Sequence, residues 1–514
     1  MTMRRHLIAC APVALAAAWL CSRPAAAADY YVSPSGDDGA AGTEAEPWGT
    51  IGRAAGALAP GDAVYIMAGT YREQVVPEDS GSEGSLVTYA AYPGDEAVID
   101  GEGIAVEEWG GLIQLRDLSC IRITGLSVRN SSGAGIHASG CSAIMIDGNA
   151  TWNTVSSGVG VWSSTSIIVE GNDVGLACND GSQECITVAG SDSFEIRYNH
   201  VHDGGPGSNG GEGIDAKHGS NGKVYGNVVH GINRLGIYVD AWDTHTFNIE
   251  VYGNVSHDNQ ANGYAVAAEN GGLLENIRVF NNIAYHNLHV GLTVAGWGVD
   301  GVGHPMRDIF IVNNTFFENG ESWGGGISVD NPEAENVAVR NNIVAGNLSF
   351  SIASEGGPPA EEVTVDHNLI DGFRDYPGEI RGTDAVEASP AFVDPAAADF
   401  HLLESSPAID SGSADGAPAF DFDGGARPQG EGFDIGAFEY GAPLPEDDVE
   451  APWEWPEPPP DESAETADGV SDAPPDMIPD AVTDAARDGT GDATQDTAEE
   501  GESGGEGCGC RMAA

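Results

Sequence analysis

Lysine is almost missing from this chain. Among 514 residues only Lys217 and Lys223 carry an ammonium side chain. Bases are scarce altogether, 20 Lys and Arg against 80 Asp and Glu, for a formal charge of −60. Such a field repels phosphate backbones and anionic lipid surfaces, so no nucleic-acid partner is expected. It leaves divalent cations, neutral glycans and solubility as reasons for the acidity. Aromatic residues make up only 7%, whereas Gly reaches 72, a mix that fits a Gly-punctuated all-β chain better than a helical one. Long apolar runs are absent beyond the N-terminus, so no transmembrane segment is expected.

The N-terminus is the exception. Arg4 and Arg5 precede an apolar run from Leu7 to Leu20 and a small-residue site at Ala25–Ala28. This reads as a signal peptide over residues 1–28, which implies a secreted, extracellular or cell-surface protein. Export permits disulfides. Cys178 and Cys185 are close enough in sequence to close a small loop, and Cys120 and Cys141 lie near one repeat apart, so they are expected to stack or bridge. From 442 to 507 the chain is rich in Pro, Asp, Glu, Ala and Thr, with Arg487 its single base. That composition describes a self-repelling, disordered acidic linker, followed by a Cys-containing tail over 508–514.

Between these ends one pattern recurs every 23 to 28 residues or so. Rows open "GIHA" (135), "GVGV" (158), "CITV" (185), "GIDA" (213), "GIYV" (236), "GYAV" (263), "GLTV" (291) and "GISV" (326), with a weaker ninth, "SIAS" (351). Each continues into a second alternating strand that ends on Asn: 149, 172, 199, 227, 254, 281, 313, 341 and 368. Short strands with no helix between them argue for a solenoid of parallel strands, and stacked Asn amides suit a ladder at its turns. His202, His230, His257 and His286 recur shortly after these Asn and are expected to stack at the turns.

With these rows in view, the chain resembles the right-handed parallel β-helix superfamily that includes pectate lyases and related polysaccharide lyases. The segment "YYVSPSGDDGAAGTEAEPWGTIGRAAGALAPGDAVYIMAGTYRE" is similar to the N-terminal signature of that group. Its "GTIGRAAGALAPGD" predicts an amphipathic helix, ended by Pro60-Gly61, that plugs the open end. The expected organisation is an N-terminal cap and first rungs over 29–115, β-helix rungs over 116–375 and a C-terminal module over 376–441. That module resembles one found in surface proteins with interchangeable anchors and is expected to cover the last rung. The "GCGC" of the tail resembles the start of myxobacterial C-terminal sorting tails, without the apolar span and Arg cluster that should follow.

Alternation along a strand decides which side chains share a wall. In "EGIDAK", Ile214 and Ala216 point inward, so Glu212, Asp215 and Lys217 share the outer face. Glu184, Thr187 and Ala189 match them on the rung before, and Leu235, Tyr238 and Asp240 on the rung after. Lys223 is expected on another face. The resemblance extends to "EGIDAK", which is similar to a segment of calcium-dependent β-helix lyases. Carried over by position, it implies Glu212 as a Ca²⁺ ligand and Lys217 as a possible base, and the shared outer face adds Glu184, Asp215 and Asp240 as candidate metal ligands. A uronate proton lies next to a carboxylate, and a hard cation on oxygen ligands stabilises the charge that β-elimination develops there. "NRLGIYVD" departs from the acidic pattern expected one rung later, and Arg234 there is read as a clamp for a substrate carboxylate. Trp162, Tyr238, Trp242 and Trp297 would present surfaces to sugar rings. The bland reading of Lys217 is a salt-bridge ladder on a sheet face. The competing function is a non-catalytic, glycan-binding or adhesive β-helix. A monomer is expected in either case. No G-x-S-x-G elbow, EF-hand loop or phosphate-binding G-x-x-x-x-G-K-S/T is present.

Overall fold

The computed structural model describes residues 27–443 except 108, 180–182, 207–210 and 299–300. The proposed leader, most of the acidic linker and the Cys-containing tail lie outside the described residues. The described chain is an all-β right-handed parallel β-helix. Each of the ten central coils contributes one strand to each of three sheets and the end coils only to the first two, giving 13, 13 and 10 strands, and strands pair in parallel with the coil before and the coil after. The row openings form the third sheet, from Gly111–Arg116 to Phe350–Ala353. The strands before the Asn turns form the first sheet, and the short strands after them the second.

The inward positions fill the interior with aliphatic columns: Val159, Ile186, Ile214 and Ile237 are register partners and all buried. Every backbone donor in the middle of a sheet meets the next coil, so the fold grows without a free edge except at its ends. The first end is closed by a helix shorter than the sequence predicts. It spans only Ile51–Ala55, with Thr50 accepting from the Arg53 N–H at its start. Gly52 and Gly56 weaken a longer helix, and Leu58 still reaches the core with Ile51 and Ala54.

The turn ladder differs from the expected one in an instructive way. It runs Asn149, Asn172, Asn199, Asn227, Asn254, then Asn282, Asn314, Asn342 and Asn368, each amide donating to the next Oδ1 at 2.9–3.1 Å. Asn281, Asn313 and Asn341 stand one place earlier, at φ of 53°, 56° and 55°. They take the left-handed position that Gly148, Gly171, Gly226 and Gly253 fill in other coils. "GN" and "NN" are therefore one motif, and the second residue is always the rung of the ladder. Asn254→Ala would strip partners from the buried Asn227 and Asn282 amides and from Val224 O. We expect a loss of about 1–3 kcal/mol in chemical denaturation; a loss under about 0.5 kcal/mol would mean that other groups take over those bonds.

The first part of the C-terminal segment lies on the last rung, where the Ile380 N–H donates to Ile352 O and the Thr383 N–H to Val365 O. Val386–Glu387 adds one strand to the second sheet. Phe392, Phe400, Leu402, Ile435 and Phe438 then pack back along the flank of that sheet, on Ile283, Ile343 and Leu369. The displaced Asn residues hold it there: Asn281 donates to Phe420 O, Asn313 to Asp434 O and Asn341 to Ser413 O. No disulfide joins the described cysteines, all four of which are free thiols. Ser119 pairs with Ser142, so Cys141 lies one place ahead of the strand. It is buried, with its thiol on Ser139 O, and is out of step with the half-buried Cys120. Among the described residues no helix is long and apolar enough to cross a membrane.

Candidate functional site

The register of the third sheet sets Thr187, Asp215, Tyr238 and Ala265 in one outward column, and Ala189, Lys217, Asp240 and Ala267 in the next. Strand alternation thus puts Lys217, Asp215 and Asp240 on one wall, while Lys223 lies on the first sheet between Glu195 and Glu250. Depth was not legible from alternation. The wall is covered, so Glu184, Glu212, Asp215, Asp240 and Glu269 are all buried, and the Lys217 side chain is only 13% exposed.

Lys217 Nζ lies 2.5 Å from Glu184 Oε1 and 3.4 Å from Asp215 Oδ2. Glu184 Oε2 also accepts from the Thr187 hydroxyl at 2.7 Å. Arg234 Nη1 is 3.2 Å from Glu212 Oε1. Tyr238 donates its hydroxyl to Glu269, and its ring meets Trp297 at 5.9 Å between centroids. Two carboxylate oxygens, Asp215 Oδ1 and Asp240 Oδ1, are buried with no hydrogen-bond partner.

The charges resolve unevenly. Burial alone would raise Glu184, but the Lys217 ammonium and the Thr187 hydroxyl outweigh it and hold its carboxyl below the ordinary range. Burial pushes Glu212 up to about 7 against the pull of Arg234. Asp215 and Asp240 are driven well above the carboxylate range by burial, then by neighbouring acids, Asp240 for the first and Glu269 for the second. Burial would lower Lys217, yet Glu184, Asp215 and Asp240 carry it well above its usual value. The side chain is therefore an ammonium in a carboxylate cage, and the free amine that a base needs is not the form these surroundings favour.

The expected aromatic residues divide. Trp162 stands beside the ammonium, its ring centre 5.8 Å from Lys217 Nζ. Tyr238 is buried among Leu235, Ala261, Ala265 and Ala295, with Trp297 partly covering that cluster, so neither ring is an open platform next to Lys217. Trp242 lies just past the end of strand Ile237–Ala241, half-buried. Sequence reasoning missed Trp109, which is 61% exposed and meets Trp162 edge-on at 6.5 Å. The two indoles flank a cavity of about 240 Å³ that is also lined by His137, Ser157 and Gln183. Sequence reasoning also missed His137, which strand alternation in "GIHA" could have marked as an outward residue. Burial, then Arg116, lowers it to about 4, so it is neutral, with Nδ1 on the Gln114 amide at 3.0 Å. Trp109 lies in a loop outside the repeat, where no periodic signal marks it.

The carboxylates fit a hard cation in donor type and charge, because five acids exceed Lys217 and Arg234 and two of their oxygens lack partners. They are not drawn around one point. Among the described residues the only group of three or more His, Cys, Asp or Glu donor atoms all within 4.8 Å of one another is Asp173, His200 and His202.

Residues 30–252 match the family model described as Pel9A-like, right handed beta helix region. Over most of its length the chain is similar to the uncharacterized protein YwoF of Bacillus subtilis (strain 168). That match is 28% identical over 443 residues, covering 74% of this chain and 92% of the relative. A shorter match, 38% identical over 78 residues, is to pectate lyase PEL9 of Emericella nidulans and covers 15% of this chain and 19% of that protein. Among solved structures, the complex of XylC with xylose shares the fold at a TM-score of 0.51 and 12% identity, covering 80% of this chain and 98% of that one. Topology and comparisons agree that the chain is a right-handed parallel β-helix, similar over residues 30–252 to the Pel9A-like region.

Proposed function

We propose that this chain is an exported carbohydrate-active β-helix protein that cleaves a uronate-containing polysaccharide by β-elimination. The observation that carries this reading is the pair of orphaned oxygens, Asp215 Oδ1 and Asp240 Oδ1, beside the Lys217 ammonium and a tryptophan-lined cavity. In this reading Trp109 and Trp162 hold sugar rings, and Arg234 is released from Glu212 to meet the substrate carboxylate. Lys217, as the amine, takes the proton from the carbon beside that carboxylate. The electron pair forms the new carbon–carbon double bond, the bond from the β-carbon to the glycosidic oxygen breaks, and that oxygen leaves with a proton from water. Asp215 and Asp240, with Glu212 and Glu184 nearby, would hold Ca²⁺, which would neutralise the uronate and lower the affinity of the adjacent amine for its proton. The similarity over 78 residues to pectate lyase PEL9, whose name gives its activity, supports the reaction class.

A second reading has its own support. The short Lys217–Glu184 pair favours a locked charge ladder on a glycan-binding, non-catalytic wall. One assay separates the two. Pectate, alginate and glycosaminoglycans are screened for the ultraviolet absorbance of unsaturated uronates, with and without chelator. Lyase activity predicts new absorbance that falls on chelation and vanishes in Lys217→Ala. Glycan binding with no product from any substrate would favour the adhesive reading.

A further inference from the structure

We propose that Asp173, His200 and His202 form a site for one divalent transition-metal ion of the zinc class, on the second sheet and apart from the carboxylate wall. His200 and His202 are alternate residues of strand His200–His202, so both point outward around the buried Val201. Asp173 is the register partner of His200 on strand Asp173–Gly175. Its Oδ1 lies 2.8 Å from His200 Nδ1 and 3.3 Å from His202 Nε2. Donors that share a tetrahedral metal at bond lengths of about 2.0–2.1 Å lie roughly 3.3 Å apart. Asp173 Oδ1 is thus within about half an ångström of that spacing from both imidazole nitrogens, and the three donors all lie within 4.8 Å of one another.

The outer nitrogens complete the argument. His202 Nδ1 is 2.9 Å from Asp203 Oδ2, so its N–H has a carboxylate acceptor, and Nε2 is left facing Asp173. His200 Nε2 is 2.9 Å from His230 Nε2, which occupies the far side of that ring. A ligating imidazole commonly hands its other N–H to a carboxylate or similar acceptor, which orients the ring and raises its basicity. Here both rings are arranged in this way. They are also wedged in place. Trp152 lies 6.0 Å from His202, an approach that Gly175 permits, since a Cβ there would come within 2.8 Å of both rings. His230 and His257 stack on the other side. Two imidazoles and one carboxylate suit zinc-class ions and are a poor match for calcium. Bound there, the ion would tie two successive coils together.

The test is calorimetric titration of the metal-free full-length chain with Zn²⁺ in excess Ca²⁺, which occupies oxygen-only sites. One Zn²⁺ per chain is expected. His202→Gln and Asp173→Asn should each weaken that event beyond about 100-fold, and Asp203→Asn, which acts on a ligand rather than the metal, by about 10–100-fold. His257→Gln loosens the same ring stack without removing a donor and should weaken binding by less than about 10-fold. No zinc binding would overturn the proposal. So would unchanged affinity in His202→Gln, or an equal loss in His257→Gln, which would trace the effect to the stack.

Discussion

Arg427→Met should destabilise the docked C-terminal segment by about 3–5 kcal/mol, the usual result of removing one partner of a fully buried ion pair. Neither Arg427 nor Glu439 exposes any of its side chain, and they meet at 2.8 Å. The guanidinium also donates to Gly436 O at 2.8 Å and Asp434 O at 3.2 Å, so methionine would orphan carbonyls as well as a carboxylate. Glu439 accepts from the Gln429 and Asp434 N–H groups and would remain buried without its counter-ion. Adding Glu439→Gln to Arg427→Met should recover part of the loss, because a neutral amide keeps an acceptor there and carries no charge. Urea denaturation reports the magnitude, and limited proteolysis reports whether residues 376–441 are released. A single variant within about 1 kcal/mol of the unaltered protein would mean that water reaches this pair.

Lys217→Met should cost a similar amount, about 3–5 kcal/mol at neutral pH, with a pH dependence that identifies the cause. Glu212, raised to about 7 by burial, binds its proton more tightly in the folded state. It contributes stability in full below its unfolded pKa, about 4.3, and loses it as pH rises through about 7. Asp215 and Asp240 are raised likewise, and their contribution has the same sign. Glu184 has the opposite sign. Held low by Lys217, it contributes above its unfolded pKa and loses that contribution as pH falls. Removing the ammonium shifts Glu184 into the raised group. The deficit of Lys217→Met should therefore be largest near pH 7 and shrink toward pH 5 as the acids protonate. Denaturation midpoints at the two pH values give the comparison; a deficit that grows on acidification would contradict the charge assignment.

The site shows how far pattern reading extends. Outwardness follows from a period of two, and rung-to-rung neighbours follow from stacking. Asp215, Lys217, Tyr238 and Asp240 could therefore be put on one wall from letters alone. The same logic could not say that Tyr238 spends its hydroxyl on Glu269, or that Glu184 sits against Lys217, because those contacts depend on rotamers. Trp109 and the pairing of Asp173 with His200 were also out of reach. One lies in a loop without periodicity, and the other joins residues 27 apart whose side chains bend toward each other within the sheet face.

What the amino-acid order determined by itself was the solenoid: alternating strands, left-handed Gly or Asn at the turns, and a polar amide after each. These are local preferences repeated coil after coil, so they add without ambiguity. What only the tertiary structure decided was depth and company. Neighbouring acids from three coils made the buried Lys217 a caged ammonium, "NN" turns freed one amide to clasp the returning C-terminal segment, and two histidines closed on an aspartate from the coil before. Those outcomes depend on desolvation and on side-chain directions between coils, which no one-dimensional pattern encodes.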